Sequence, residues 1–162
     1  MGIAPAARRF PQPAEARLSR AIAALNIICI VVAGAVRATL PGPDFTLAWQ
    51  HSVEKIRWEE SYRISGDLLT LFEARIEGNG AGMESPPGAR LQDGQWVWQP
   101  QSTHAELRLT RSTFTRDYTL CSAGHCADLG EWVGETAEGE VVSLRSCPRE
   151  SVNSSGREKV GR

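Results

Sequence analysis

The stretch Phe45–Glu77 reads FTLAWQHSVEKIRWEESYRISGDLLTLFEARIE and alternates apolar with polar residues through three consecutive runs. A period of two is typical of β-strands, because successive side chains point to opposite faces of a sheet. Two-residue turns at Val53–Glu54 and Gly66–Asp67 would join the runs. The stretch therefore predicts an antiparallel meander of three strands.

The register of this meander predicts which side chains face each other. The predicted pairs are Trp49 with Trp58, Tyr62 with Leu71, and Glu60 with Glu73. Two carboxylates that face each other repel, and one of them should have a raised pKa unless a cation lies between them. Arg75, diagonal to Glu60 in this register, is the candidate cation. His51 should point to the same side as Glu60.

Turn signals continue after the meander, at Asp93–Gly94 and at a cysteine hairpin further on. Short apolar runs lie between them up to Leu129, and no convincing helical period is present. These features predict an all-β fold, a small antiparallel sandwich or barrel of about seven strands, over residues 44–130. The loop Gly78–Gly88 combines four glycines with two prolines, which excludes a helix or a central strand there. It resembles a phosphate-binding loop only superficially, because no helical pattern follows it.

The N-terminal residues 1–43 carry a different signal. Residues 1–38 contain five arginines and one glutamate (net +4), and the remainder contains 13 basic and 18 acidic residues (net -5), which disfavours a nucleic-acid partner. An apolar run, Ala21–Val36, lies between Arg20 and Arg37. This pattern predicts a signal peptide or a membrane anchor, with a buried core helix as the alternative. Periplasmic or otherwise exported localisation is expected, with inner-membrane anchoring through residues 21–36 left open.

The cysteines agree with export. Cys121 and Cys126 lie on either side of a four-residue hairpin tip, close enough to form a disulfide in an oxidising compartment. The alternative is a metal site that adds His125 and Cys147, but the spacing fits no standard zinc pattern. No metal and no other cofactor is expected. Residues 131–162 are rich in Glu, Ser, Gly and Arg, which predicts a polar, disordered tail.

Four segments together resemble a known family. They are FTLAWQHSVEKIRWEESYRI, GAGMESPPGA, WVWQP and RSTFTRDYTLC, in that order between Asp44 and Leu129. The chain resembles a family of exported bacterial proteins, with a domain of unknown function, encoded beside TAXI-type TRAP transporters. The resemblance implies an association with solute uptake and no particular activity. The family's motif positions in this sequence are His51, Ser52, Glu54, Glu59, Glu60, Gly80, Gly82, Met83 and Glu84.

These positions, with Glu73 and Arg75 from the meander, are the candidate residues for binding a ligand or a partner. The first hypothesis is a non-enzymatic exported module that assists the transporter, by docking on its membrane or solute-binding component or by holding a small solute. The second is a hydrolase-like enzyme with a pocket formed by His51, Glu60 and Glu73. The third is a structural protein of the cell envelope. The enzyme hypothesis requires its three residues to converge.

Overall fold

The computed structural model describes residues 26–51, 53, 55–78 and 86–149. Within these ranges the chain forms twelve β-strands and one short helix. They are β1 (Asn26–Val32), β2 (Ala35–Leu40), β3 (Asp44–Gln50), β4 (Arg57–Ser65), β5 (Leu68–Glu77), β6 (Arg90–Gln92), β7 (Gln95–Trp98), β8 (Ser102–His104), β9 (Glu106–Thr110), β10 (Thr119–Ser122), β11 (His125–Asp128), α1 (Leu129–Val133) and β12 (Val141–Pro148).

The strands form two antiparallel sheets. The smaller sheet has the order β2-β1-β12-β9, and the larger has the order β11-β10-β3-β4-β5-β7-β6, with β8 paired to β5. Apolar side chains from both sheets form one core, which includes Ile30 and Leu144 from the smaller sheet and Leu47 and Leu69 from the larger. The predicted all-β antiparallel class is confirmed. The expected number of about seven strands was too low, because residues 44–130 contain nine short strands and both ends of the described chain contribute three more.

The apolar run predicted as a signal or anchor forms strands wherever it is described. Its residues 26–36 supply β1 and the start of β2, joined by a turn at Ala33–Gly34 with positive φ angles of 49° and 79°. Ile28, Cys29 and Ile30 are fully buried. A continuous apolar run suits a central strand that is covered on both faces, so it does not distinguish such a strand from an apolar helix. The described fold thus begins before the predicted boundary at residue 44.

Among the residues that the structure describes, no helix has the length and apolar character needed to cross a bilayer. The part of the run before Asn26 lies outside the described residues.

The predicted disordered tail also contains ordered structure. Val141–Pro148 forms β12, which pairs with β1 on one side and β9 on the other. Val142 and Leu144 are fully buried. Four apolar residues are enough to order this otherwise polar segment, because β12 is a central strand of the smaller sheet. Its inward side chains pack in the core between the two sheets. Residues 150–162 lie outside the described part.

Both pairs of cysteines form disulfides. The predicted Cys121–Cys126 bridge is confirmed, across the register pair that flanks the Ala123–Gly124 turn. The second bridge joins Cys29 in β1 to Cys147 in β12, 118 residues apart in sequence with Cα atoms 5.9 Å apart. No cysteine remains free for the alternative metal site. Two disulfides indicate that the chain folds in an oxidising environment, which is where exported proteins fold.

The meander follows its predicted register only in part. Trp49 pairs with Trp58 and Tyr62 with Leu71, as expected. The turn at Gly66–Asp67 is also confirmed. The turn predicted at Val53–Glu54 belongs to a longer loop, since β3 ends at Gln50, β4 begins at Arg57, and the His51 amide donates to the Ile56 carbonyl over 2.9 Å.

The predicted Glu60–Glu73 pair is wrong. Glu60 lies opposite Ala74, and Glu73 lies opposite Ser61, because a β-bulge makes Phe72 an extra residue in β5. The other edge of β5 changes partner here: Leu69–Leu71 pair with β8, and Ala74–Glu77 pair with β7. One extra residue reverses the faces for the rest of the strand, so Glu73 and Arg75 lie on the face opposite to Glu60.

Candidate functional site

A cleft opens between the inner face of the larger sheet and β9, the edge strand of the smaller sheet. Its volume is about 440 Å³, within the ordinary range for small-molecule sites. We call it the Glu60 cleft. Its lining is Leu47, Trp49, Glu60, Tyr62, His104, Glu106, Leu107, Arg108, Leu109 and Tyr118.

Glu60 is the half-buried carboxylate of this cleft. It lies on the inner face of β4, where the regular alternation of that strand also places Trp58 and Tyr62. The Tyr62 hydroxyl donates a hydrogen bond to Oε2 of Glu60. Tyr62 is only 3% exposed, and its burial, followed by the hydrogen bond and the negative charge of Glu60, raises the Tyr62 pKa far above its usual value. Tyr62 therefore stays neutral and keeps its proton available for Glu60.

Aromatic rings form much of the remaining wall. Trp49 stacks on Trp58, with ring centroids 5.9 Å apart, and meets Tyr118 at a tilted angle over 6.5 Å. The His104 ring stands edge-on to Tyr62 at 6.0 Å. Burial and the nearby Asp117 carboxylate raise the pKa of Tyr118, so this phenol is also neutral. The cleft thus offers several π faces close to one carboxylate.

The charges around the cleft are not balanced. At its rim Glu106 and Arg108 form an ion pair with a nitrogen–oxygen distance of 3.6 Å. Every other ion pair in the described residues involves a carboxylate other than Glu60. Glu60 is therefore a carboxylate with a tyrosine hydroxyl as its hydrogen-bond donor and no paired cation within the described chain. A ligand that carries positive charge would complete this arrangement.

A larger cavity, of about 520 Å³, lies on the other side of Trp49 near the loop between β3 and β4. Two of its six charged side chains are in ion pairs. Arg57 contacts Glu59 at 3.4 Å, and Asp117 contacts Arg111 at 2.8 Å. Its lining combines three basic side chains with three acidic ones, so the cavity does not present a single uncompensated charge as the Glu60 cleft does.

A family model described as a domain of unknown function (DUF1850) matches residues 45–129, just over half of the chain. The chain belongs to this family. No curated protein and no solved structure matches it. The DUF1850 segment contains every residue that lines the Glu60 cleft, whereas β1, β2 and β12 lie outside it. The cleft is thus built by the family's own segment, and the additional strands cover its core.

The structure places the predicted site residues in different surroundings. His51 follows β3, with its ring 6.3 Å from that of Trp58, and it does not line the Glu60 cleft. Glu59 lies opposite Arg75 in the register and contacts Arg57. The six motif positions outside the described residues are Ser52, Glu54, Gly80, Gly82, Met83 and Glu84.

Arg75 was expected beside Glu60 and instead contacts Glu73. The shortest nitrogen–oxygen distance of this pair is 2.7 Å. Both residues lie beyond the Phe72 bulge, on the opposite face of the sheet, and Glu73 lines another cavity of about 340 Å³ together with Arg90. The pocket of His51, Glu60 and Glu73 required by the hydrolase hypothesis is therefore not formed.

Of the ten residues that line the cleft, Glu60 alone was among the sequence-based candidates. Two of the others, Tyr118 and His104, contribute rings to its wall. Tyr118 lies just before β10, where it could be recognised only as one apolar residue in a short strand. His104 ends β8, a three-residue strand that pairs with β5. Its nitrogen Nε2 lies 3.1 Å from the Ser102 hydroxyl. No local pattern marks His104, because its position beside Tyr62 follows from a pairing between distant strands.

Proposed function

We propose that this protein is an exported, periplasmic binding module that holds a small solute in the Glu60 cleft and assists a TAXI-type TRAP transporter. The observation that carries the proposal is Glu60 itself, a half-buried carboxylate among aromatic rings, without a paired cation in the described residues. Such an arrangement costs stability in the free protein, because a partly desolvated charge lacks its best partner, and a bound cation would offset that cost. Catalysis is not needed to account for it.

Two further observations support the proposal. The disulfides fit a chain that folds outside the cytoplasm. The resemblance to proteins encoded beside TAXI-type TRAP transporters supplies the partner, namely the membrane or solute-binding component of such a transporter. A module that presents a solute cleft near a transporter would raise the local concentration of solute, or would link cleft occupancy to docking.

Export is tested with reporters fused after Arg162, so that all described strands remain in the fusion. Alkaline phosphatase, which needs disulfides, should be active at this position, and β-galactosidase fused at the same residue should be inactive. The reverse result would contradict export. A fusion at Asp44 would be a poor test, because it keeps β1 and β2 but removes β12, the strand that pairs with β1, and with it Cys147, the partner of Cys29.

Association with the transporter is tested in cells that express the transporter genes together with the tagged full chain. The tagged chain is purified from their detergent-solubilised membranes. Transporter subunits should be enriched over a control purification with an unrelated exported, disulfide-containing protein that carries the same tag. Equal recovery in both purifications would show that the module acts apart from the transporter.

A further inference from the structure

We propose that the solute held in the Glu60 cleft is an organic ammonium compound, bound by ion pairing to Glu60 and by contact of its cationic group with the faces of Trp49 and Tyr118. This inference rests on the proposed binding function and assigns its ligand class.

The first argument is charge. Glu60 accepts a hydrogen bond from Tyr62 through one oxygen, which leaves its other oxygen able to accept from a ligand. Apart from the His104 imidazole, the one basic side chain that lines the cleft is Arg108, and it pairs with Glu106 at the rim. A ligand carboxylate would meet the uncompensated charge of Glu60 and be repelled, whereas an ammonium group would neutralise it.

The second argument is the aromatic wall. Trp49 and Tyr118 meet at a tilt of 52° with their centroids 6.5 Å apart, so they form two sides of a corner. Cations are attracted to ring faces within about 6 Å of the centroid, and sites for quaternary ammonium groups are built from such rings. The phenol ring of Tyr118 attracts a cation through the negative potential of its face.

The third argument concerns the competing cation. A metal ion requires several hard or nitrogen ligands in one place. The described residues bring together no group of three histidine, cysteine, aspartate or glutamate side chains suited to a metal. One carboxylate without an ion-pair partner, in a cleft lined by aromatic rings, matches an ammonium group, which gains from apolar contacts around its charge.

The test titrates the full-length, oxidised protein with choline and with ethanolamine, and follows the nuclear magnetic resonance signals of the Trp49 indole and the Tyr118 ring. The neutral shape analogue is 3,3-dimethylbutan-1-ol, and acetate serves as the anionic probe. Saturable shifts with either ammonium probe, at least about tenfold tighter than with the alcohol, are expected, since tenfold corresponds to about 1.4 kcal/mol for the charge. Equal binding of the alcohol, or the absence of binding by both ammonium probes, would overturn the proposal.

Matched variants locate the effect. Glu60→Gln keeps an acceptor for Tyr62 and removes the charge, so it should weaken ammonium binding at least about tenfold. Glu73→Gln makes the same chemical change on the opposite face and should leave the affinity unchanged. Should Glu60→Gln fail to fold, Tyr118→Leu provides the second variant, which removes a ring face and should also weaken binding. Unchanged affinity in the folded variant would contradict the assignment.

The outcome also separates this inference from the proposed function. If acetate or the alcohol occupies the cleft in place of the ammonium probes, the ligand class is wrong and the binding module stands. If no probe binds and the transporter subunits are not enriched, both the ligand class and the proposed function fail.

Discussion

The hydroxyl of Tyr62 donates a hydrogen bond to the carboxylate of Glu60, two residues before it on the same face of β4. A buried phenol and a half-buried carboxylate are thereby joined at the base of one cleft. The hydroxyl supplies Glu60 with a hydrogen-bond donor where the described chain provides no paired cation, and hydrogen bonds to a charged acceptor are among the strongest in proteins. Together with burial, this hydrogen bond raises the pKa of Tyr62, so that this phenol ionises at a higher pH in the folded protein than in the unfolded chain.

The hydrogen bond between Tyr62 and Glu60 should affect how the free energy of unfolding depends on pH. In the unfolded chain a tyrosine ionises near its ordinary pKa of 10.0, whereas burial and Glu60 raise the pKa of Tyr62 in the folded protein. The raised pKa contributes stability that is fully present below about pH 10 and is lost as the pH rises further, with a slope of up to about 1.4 kcal/mol per pH unit. Tyr62→Phe should remove this part of the slope, as measured by urea unfolding at several pH values.

The chain has two tyrosines, Tyr62 and Tyr118. The tyrosinate absorbance of a Tyr118→Phe variant therefore reports Tyr62 alone. Ionisation of Tyr62 near pH 10 in the folded variant would contradict the buried hydrogen bond.

The two disulfides should differ in their contribution to stability. In the chain-entropy model the Cys29–Cys147 bridge, which spans 118 residues, contributes about 4–5 kcal/mol, and the Cys121–Cys126 bridge, which spans five, contributes about 2 kcal/mol. Replacing each pair with two alanines should lower the denaturant midpoint more for the long bridge. Peptide mapping of the unreduced protein should recover both pairs. Equal losses, or a 29–147 pair that is not found, would contradict the placement of β1 beside β12.

The Phe72 bulge predicts which charges interact. Arg75 should couple to Glu73, and the coupling should be about 0.2–1 kcal/mol because both side chains are partly exposed. Arg75 should not couple to Glu60, which lies on the other face. Double-mutant cycles with Arg75→Ala, Glu73→Gln and Glu60→Gln measure both terms from unfolding free energies. Coupling between Glu60 and Arg75 instead would restore the regular register without a bulge.

Asp117 should be important for the segment that carries Tyr118 and α1. Its carboxylate contacts Arg111 at 2.8 Å and accepts from the backbone amides of Gly130 at 2.8 Å and Tyr118 at 3.0 Å. Asp117→Ala leaves a half-buried guanidinium and two amides without this partner, so it should cost about 2 kcal/mol.

The matched control is Asp44→Ala, which breaks the more exposed pair with Arg63 and should cost about 0.2–1 kcal/mol. Denaturant midpoints compare the two variants, and hydrogen exchange at Gly130 should accelerate only in Asp117→Ala. A larger loss from Asp44→Ala would contradict the structural role assigned to Asp117.

Local patterns in the sequence were enough to predict several parts of this protein. Period-two alternation between Phe45 and Glu77 predicts the three central strands and the Trp49–Trp58 pair. The Cys121–Cys126 bridge follows from a short hairpin. In each case the interacting residues are close in the chain, so turn geometry and strand alternation alone set their positions.

Only the tertiary structure decided the rest. An apolar run such as Ile27–Val32 fits a signal, an anchor or a central strand equally well, and its pairing with β12 depends on residues more than 100 positions away. The bulge at Phe72 arises where β5 passes from one edge partner to another, which no local period records. That single extra residue separates Glu60 from Glu73 and Arg75, and the distant strand β8 brings His104 beside Tyr62. The candidate site therefore depends on long-range strand pairing. Pairing decides on which face of the sheet each side chain lies and which side chains are its neighbours.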